Sequence, residues 1–260
     1  MEFWGNSYTG NALWTPATLS SAFWFDASDD NSLVYSSNTV SQWSDKSGNN
    51  RNLLQGTIAQ RPAVSADLNG KNVLLFDGIS KWMVTSSMSG LSVANSSFFY
   101  VAKFPSHTSY GLPVSLGINQ ANNARTYGNL TGTSMYYATF GNDIATTISS
   151  DLDGSYHVHG ARQNGRTITA ARDGTSSTFT LPSNIATINP AYFAIGTIAS
   201  STGTAISAYW AKINMAEIVV FANAVDDATT AKVEGYLAWK WGITASLASG
   251  HAYKSAPPVI

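Results

Sequence analysis

The stretch AEIVVF at residues 216–221, followed by KVEGYLAWKWG at residues 232–242, decides the fold. β-branched and aromatic residues dominate the first segment, and such runs are typical of strands. In the longer stretch at residues 205–221, which contains this segment, the buried part is marked by Ile213, Met215, Ile218 and Val220. Glu217 interrupts this apolar run, within a stretch that adds one or two strands between residues 205 and 221.

The second segment has the period of a helix. Asp226 or Asp227 can cap its free N–H groups, and Gly242 can end it. Its apolar residues recur at steps of three and four, which predicts one stripe that packs on the strands. They are Val233, Tyr236, Leu237 and Trp241.

Short β-rich runs separated by turn signals fill the chain up to about residue 222, which favours a single domain built as a sandwich or barrel. Asn164-Gly165 and Asp173-Gly174 supply the positive φ angles of tight turns and predict two successive hairpins. The predicted strands are 22–26, 73–77, 97–103, 134–140, 156–162, 167–171, 177–181 and 191–196.

The composition excludes several kinds of partner. Fourteen basic and 15 acidic residues give a net charge of -1, and 11% of residues are charged, against about 25% in a typical domain. We therefore expect binding neither to nucleic acid nor to anionic lipid surfaces. Residues 174–211 carry no charge, but Pro182 and Pro190 interrupt them, so no membrane insertion is expected. The chain has no cysteine and hence no disulfide or zinc-thiolate site. Its first residues lack a basic segment followed by an apolar one, so no secretory signal is expected.

Separate motifs along residues 13–258 resemble the concanavalin A-like, laminin-G-like jelly rolls found in bacteriophage structural proteins and bacterial surface proteins. They are WSDKSGNN (43–50), NGK (69–71), LFDG (75–78), the turn at Asp173-Gly174, the two segments at 216–221 and 232–242, and HAYKSAPP (251–258). The resemblance implies an all-β, two-sheet antiparallel jelly-roll sandwich with one short C-terminal helix. It implies less about ligands, because fold and function are loosely coupled.

The resemblance to phage proteins implies a non-enzymatic protein of the virion surface, such as a capsid decoration, head-fibre or tail-adhesion component. Such a protein would be assembled in the host cytoplasm, in several copies or as an oligomer, and could bind host-surface glycans. A purely architectural decoration protein without a ligand is the first alternative. A bacterial cell-surface protein would need a secretion signal or an anchor.

A glycoside hydrolase of the same fold class is the second alternative. Such enzymes place two carboxylates across the glycosidic bond. The chain has three glutamates, and Glu217 has no acidic neighbour at strand spacing. Asp151 and Asp153 alternate, but they precede Gly154 in a loop-like context. The sequence therefore favours a protein that is not an enzyme.

Two metal sites can be weighed from the sequence. His157 and His159 would share one face of a strand, as two metal ligands can, but no third ligand is evident. Calcium is better motivated, because many jelly rolls of this class hold it with loop carboxylates. The candidates are Asp26, Asp29, Asp30, Asp45 and Asp77. Asp45 lies in a turn, where its carboxylate could instead accept backbone N–H groups.

A carbohydrate site needs an aromatic platform together with amides or hydroxyls. The segment NQANNARTYGN at residues 119–129 concentrates such groups, although most Trp and Tyr residues must fill the core. The candidate sugar-binding residues are Trp82, Tyr110, Asn122, Asn123, Arg125, Tyr127, Tyr136 and Tyr137.

The first 14 residues form a polar arm with an aromatic cluster, ahead of a jelly-roll domain at residues 15–260. Its aromatic residues are Phe3, Trp4, Tyr8 and Trp14. Aromatic side chains are good anchors in protein interfaces, so the arm is predicted to dock onto other virion proteins. The alternative is that it folds back onto its own domain.

Overall fold

The computed structural model describes residues 12–85, 91–92, 94–106, 110–128, 134–150, 152–183 and 192–260. Within these ranges the chain forms seventeen strands, one α-helix and five short 3-10 helices. The strands are β1 (Phe23–Asp26), β2 (Leu33–Ser36), β3 (Thr39–Trp43), β4 (Leu53–Leu54), β5 (Ala63–Leu68), β6 (Lys71–Asp77), β7 (Met83–Val84), β8 (Asn95–Lys103), β9 (Val114–Gly117), β10 (Ala124–Gly128), β11 (Ser134–Ala138), β12 (Ile144–Ser149), β13 (His157–Asn164), β14 (Thr167–Arg172), β15 (Thr175–Thr180), β16 (Phe193–Ile195) and β17 (Lys212–Phe221). The helix is α1 (Asp227–Trp241), and the 3-10 helices are Pro16–Thr18, Asp30–Ser32, Ile58–Gln60, Ser207–Tyr209 and Thr244–Ser246.

All described pairings between strands are antiparallel, and they join the strands into one curved sheet. From one end the path runs β15, β14, β13, β8 and β17. On its other side, β17 pairs with both β1 and β6. Beyond β6, the paired strands follow in the order β5, β3, β4, β7, β16, β9, β10, β11 and β12. The sheet curls until β12 contacts β15.

The expected all-β fold with one C-terminal helix is confirmed. The hydrogen bonds do not divide the strands into the two separate sheets that the sequence analysis expected. Each of the eight strands predicted with bounds corresponds to an observed one, with ends that differ by at most two residues. Eight observed strands were not predicted: β2, β3, β4, β5, β7, β9, β10 and β12.

Strand β17 has both faces buried, and a bulge divides it. Ile213, Met215, Ile218 and Val220 lie in the main core enclosed by the sheet. The pairing with β8 shifts register between Met215 and Glu217. Without this shift, strict alternation from Met215 would turn Glu217 into the main core. The bulge instead directs Glu217 to the outer face, under α1.

The helix α1 covers that outer face and builds a second core. Asp226 caps it by accepting a 2.7 Å hydrogen bond from the Thr229 N–H, and Gly242 ends it in the left-handed conformation, with φ 68°. The predicted stripe is buried on the sheet, as Val233, Tyr236, Leu237 and Trp241. Burial of each such side chain stabilises the fold by about 1.5–3 kcal/mol. No helix of the described ranges is long and apolar enough to span a membrane.

The two predicted hairpins are present. Asp173 and Gly174 form the turn between β14 and β15, both with positive φ. The turn between β13 and β14 lies one residue later than the Asn-Gly pair predicts, because Asn164 still pairs with Thr167 across the two strands. Gly165 therefore supplies the positive φ of that turn.

Candidate functional site

A fully buried glutamate lies between the sheet and α1. The Glu217 carboxylate accepts hydrogen bonds at Oε1 from Trp24 Nε1 at 2.7 Å and from the Tyr236 hydroxyl at 2.8 Å. At Oε2 it accepts a hydrogen bond from Trp241 Nε1 at 2.6 Å and pairs with Lys240 Nζ at 2.6 Å. Four donors from β1 and α1 therefore hold one carboxylate of β17.

The ion pair continues outward as a chain of alternating charges. Lys240 Nζ also lies 2.6 Å from Asp26 Oδ2. Asp26 belongs to β1 and pairs with Glu217 on the neighbouring strand β17. Lys46 Nζ lies 2.9 Å from the same oxygen and 2.7 Å from Asp29 Oδ2. Three carboxylates and two ammonium groups leave one net negative charge in the chain Glu217–Lys240–Asp26–Lys46–Asp29.

Burial and ion pairing act in opposite directions on the pKa values of these groups. Burial alone would raise the pKa of Asp26, but the Lys240 and Lys46 ammonium groups outweigh it and lower that pKa to about 2. For Glu217 burial is the stronger effect, so its pKa is raised despite Lys240. The Lys46 pKa is raised, because the carboxylates of Asp26 and Asp29 outweigh its burial. Asp26 and Lys46 are therefore charged at neutral pH.

A polar cleft of about 440 Å³ opens beside this chain of charges. We call it the lysine cleft. Its walls are formed by Thr15, Trp24, Asp26, Ser28, Asp29, Asp30, Asn31, Lys46, Tyr236 and Lys240. The Lys46 ammonium lies 4.8 Å from the centre of the Trp24 ring. The cleft thus offers fixed carboxylates and ammonium groups rather than a bare aromatic face.

The predicted calcium ligands all have protein partners. Lys46 Nζ lies between the candidate ligands Asp26 and Asp29 and pairs with both, and Asp30 accepts a hydrogen bond from Asn72. The Asp77 carboxylate accepts three backbone N–H groups of its own turn. The Asp45 carboxylate accepts the N–H groups of Ser47 and Arg51 nearby, as the alternative for Asp45 held, and that of Trp24 on β1. Across the described ranges, no group of three or more His, Asp or Glu side chains could hold a metal ion.

The predicted sugar-binding residues are not brought together on one surface. Arg125 and Tyr127 are fully buried, and the Arg125 Nε donates to the Gln163 amide oxygen, which also accepts the Tyr137 hydroxyl. Asn123 is also buried. These side chains belong to the interior and offer no platform to a ligand.

Trp82, Tyr110, Asn122 and Tyr136 have different surroundings. Trp82 is buried, whereas Tyr110 is 58% exposed and Asn122 and Tyr136 are partly exposed. Tyr136 packs around a small apolar cluster that also includes Tyr209. Tyr209 was not predicted, because it is far in sequence from Tyr136. Tyr110, Asn122 and Tyr136 stay candidates for a sugar-binding surface.

The two strand histidines have partners of different kinds. His157 Nδ1 lies 2.5 Å from Asp173 Oδ2, and its Nε2 lies 3.1 Å from Asp153 Oδ2. Burial alone would lower the His157 pKa, but these carboxylates outweigh burial and raise it. The His159 ring is buried and stacks on Tyr100, with 4.7 Å between the ring centres. His157 is thus paired with two carboxylates, and His159 is packed against an aromatic ring.

Of the predicted aromatic arm, residues 1–14, the structure describes residues 12–14. Phe3, Trp4 and Tyr8 lie outside the described residues. Trp14 is buried, and its ring contacts Tyr236 edge-on, 6.0 Å between centres. Trp14 therefore packs in its own domain, as the alternative for the arm predicted.

No protein-family model and no curated protein sequence matches the chain. Among solved structures it is similar to domain 4 of an extracellular GH43 arabinanase from Geobacillus stearothermophilus, solved with arabinotriose. The TM-score is 0.57 at 14% identity, and the match covers 82% of this chain and 98% of that domain.

Two further similar structures come from larger proteins. A Trypanosoma rangeli sialidase matches with a TM-score of 0.57 at 10% identity, over 84% of this chain and 32% of the enzyme. The binding domain of botulinum neurotoxin DC, solved with rat synaptotagmin II, matches with a TM-score of 0.55 at 12% identity, over 84% of this chain and 52% of that one. The chain thus spans about a third of the sialidase and about half of the neurotoxin domain. These matches show a shared all-β fold.

Proposed function

We propose that the protein binds carbohydrate without cleaving it, and that the lysine cleft is its sugar site. The observation that carries this proposal is a polar cleft of about 440 Å³ whose charged groups are held in place by the buried Glu217 carboxylate. Sugars present many hydroxyl groups, each a donor and an acceptor. Fixed carboxylates and ammonium groups can meet both without loss of side-chain freedom on binding.

The structural neighbours are consistent with this proposal. One of them was solved with arabinotriose, and another is a sialidase. Those ligands and activities belong to those proteins. Carbohydrate as the ligand class of this chain is our inference from the cleft, to which the shared fold adds support.

The chemistry of the charged chain supports binding rather than hydrolysis. A glycosidase needs one carboxyl group that is protonated when the substrate binds. Asp26 has a pKa of about 2 and pairs with two lysines, so it carries no proton to donate at neutral pH. Glu217 has a raised pKa, but it is fully buried and already accepts four donors. Neither carboxyl group is suited to act as the catalytic acid.

The biological setting of the proposal comes from the sequence resemblance. We propose a jelly-roll protein of the phage virion surface, where sugar binding would attach the particle to its host. Residues 1–14 would connect it to other virion proteins, with Phe3, Trp4 and Tyr8 as the anchors, since Trp14 is buried in the domain. The architectural alternative keeps this location but has no ligand.

A glycan panel tests the proposal with variants on two surfaces. Asn31→Ala and Asp30→Ala change exposed side chains of the lysine cleft, whereas Tyr110→Ala and Asn122→Ala change two of the accessible residues predicted from the sequence. We expect saturable binding by the natural protein, about tenfold weaker binding by the cleft variants, and unchanged binding by the other pair. Thermal unfolding of each variant controls for folding.

Each other outcome of the panel contradicts a stated part of the proposal. Binding lost only in Tyr110→Ala or Asn122→Ala would move the site to that surface. Failure to bind any glycan or host cell would favour the architectural alternative. Release of reducing sugar from a bound glycan would show that the protein is an enzyme.

A further inference from the structure

A second buried glutamate lies on α1, and its hydrogen bonding is incomplete. Glu234 is 3% exposed. Its Oε2 lies 3.3 Å from His251 Nε2. Because His251 Nδ1 accepts the Tyr253 N–H at 3.1 Å, the ring proton is on Nε2 and is donated to Glu234. The other oxygen, Oε1, is buried and has no hydrogen-bond partner among the described residues.

A cleft of about 260 Å³ borders this carboxylate, and we call it the Glu234 cleft. It lies between α1 and the outer face of β13 and β14, on a side of the helix different from the lysine cleft. Its apolar lining consists of the Phe99 ring and the small residues Gly160, Ala171 and Ala231. The Phe99 ring packs directly on Gly160, where a Cβ would come within 2.7 Å of the ring.

The charge of the Glu234 cleft is not balanced by the side chains that line it. Arg162 is the only cationic side chain among its described lining residues, and it is engaged elsewhere. Its Nη2 lies 2.6 Å from Asp227 Oδ1, and its Nη1 donates to the Val225 carbonyl at 2.9 Å. Within the described residues, Glu234 therefore lines the cleft with one weak donor, His251, and no cationic partner.

We propose that the Glu234 cleft binds a small primary amine, with its ammonium group at Glu234 Oε1 and its alkyl part over Phe99, Ala171 and Ala231. An ammonium group supplies both of the things that the carboxylate lacks, a hydrogen-bond donor and a positive charge. A neutral alcohol supplies only the donor, and an anion would be repelled. The cleft has room for a ligand with a short carbon chain.

This inference does not rest on the carbohydrate proposal, because it concerns a different cleft. The buried carboxylate oxygen and the open cleft are two observations that point to the same place. A buried acceptor without a partner costs stability unless something donates to it.

The test compares n-butylammonium with 1-butanol, which has a similar size and no charge. Calorimetry or ligand-observed NMR at neutral pH should show saturable binding of the amine, at least about tenfold tighter than the alcohol. Glu234→Gln keeps the side-chain shape and should abolish this preference. Asp30→Asn, in the lysine cleft, is the matched control and should leave amine binding unchanged.

A second variant covers the case in which Glu234→Gln folds poorly. Ala231→Leu fills the cleft from α1, keeps a good helix former and leaves Glu234 in place; it should reduce amine binding about tenfold or more. The proposal is overturned if the natural protein does not bind the amine, if amine and alcohol bind equally well, or if both variants still bind it. Loss of glycan binding in the lysine-cleft variants would leave this result unaffected, so the two proposals fail separately.

Discussion

Two buried glutamates, Glu217 beneath α1 and Glu234 on α1, differ in how well their carboxylates are hydrogen-bonded. Glu217 accepts hydrogen bonds or ion pairs from four donors, two of them indole N–H groups. In the part of the chain that the structure describes, Glu234 has one donor, the His251 ring at 3.3 Å, and one oxygen without a partner. Both side chains are nearly or fully inaccessible to solvent.

The difference separates a carboxylate that supports the fold from one that is available to a ligand. Burying a charge is costly unless its hydrogen bonds are satisfied, and a satisfied buried charge depends strongly on each of its partners. Glu217 should therefore be sensitive to any change, whereas Glu234 should be tolerant of the loss of its charge. Matched Glu→Gln variants at the two positions measure this contrast.

The largest effect is expected for Glu217→Gln. The amide would direct N–H groups at the Trp241 N–H or the Lys240 ammonium, so buried donors would face each other. Removal of one partner from a buried charged network costs about 3–5 kcal/mol, and we expect a loss of that size in the free energy of unfolding. Urea denaturation at neutral pH measures it. A loss below about 1 kcal/mol would mean that the network contributes little to stability.

Asp26 should show the next largest effect, through its dependence on pH. Folding lowers its pKa from 3.8 to about 2. Its stabilising contribution is therefore complete above about pH 4 and is lost as the pH falls toward 2, and a shift of this size corresponds to about 2 kcal/mol. Glu217, whose pKa is raised, acts in the opposite direction over part of this range.

The variant Asp26→Asn separates these two contributions. We expect it to be about 2 kcal/mol less stable than the natural protein at pH 6, and to approach it in stability near pH 2. Denaturation curves at several pH values between 2 and 6 measure the difference. A constant difference across this range would contradict the assigned role of Asp26.

Local patterns predicted the parts of the fold that carry their own signals. The Asp173-Gly174 turn, the cap at Asp226 and the helix stop at Gly242 need only neighbouring residues, and all are present. The missed strands β4 and β7 have two residues each, which is too short for a period to be seen. Strand β2 has three exposed residues of four, so it lacks the alternation of a half-buried strand.

The candidate site could not be predicted in the same way, because it depends on contacts between distant segments. Asp26 on β1 pairs with Glu217 on the neighbouring strand β17. Lys46 contacts Asp26 from a loop, and Lys240 contacts both carboxylates from α1. Glu217 was noticed as an acid within an apolar run, which was the one available signal. Its direction toward α1 follows from the bulge after Met215, which no local pattern revealed.

His157 is intermediate between the two glutamates, because it is a buried titratable group with two charged partners. The Asp173 and Asp153 carboxylates raise the pKa of His157, although burial acts to lower it. The charged form of His157 therefore stabilises the folded state. That contribution is complete below pH 6.5 and is lost as the pH rises through the folded-state pKa. We expect His157→Gln to cost about 1.5 kcal/mol at pH 5.5 and clearly less at pH 9. Equal costs at both pH values would show that packing, and not charge, is what His157 contributes.

The smallest effect is expected for Glu234→Gln, the matched partner of Glu217→Gln. The substitution removes a buried charge that has one long hydrogen bond and no cation, and the amide oxygen can still accept the His251 N–H. The free energy of unfolding should therefore change by less than about 1 kcal/mol, in either direction. Urea denaturation under the conditions used for Glu217→Gln gives the comparison directly. If both variants lost several kcal/mol, the Glu234 carboxylate would be structural as well, and its unpartnered oxygen would not mark a ligand site.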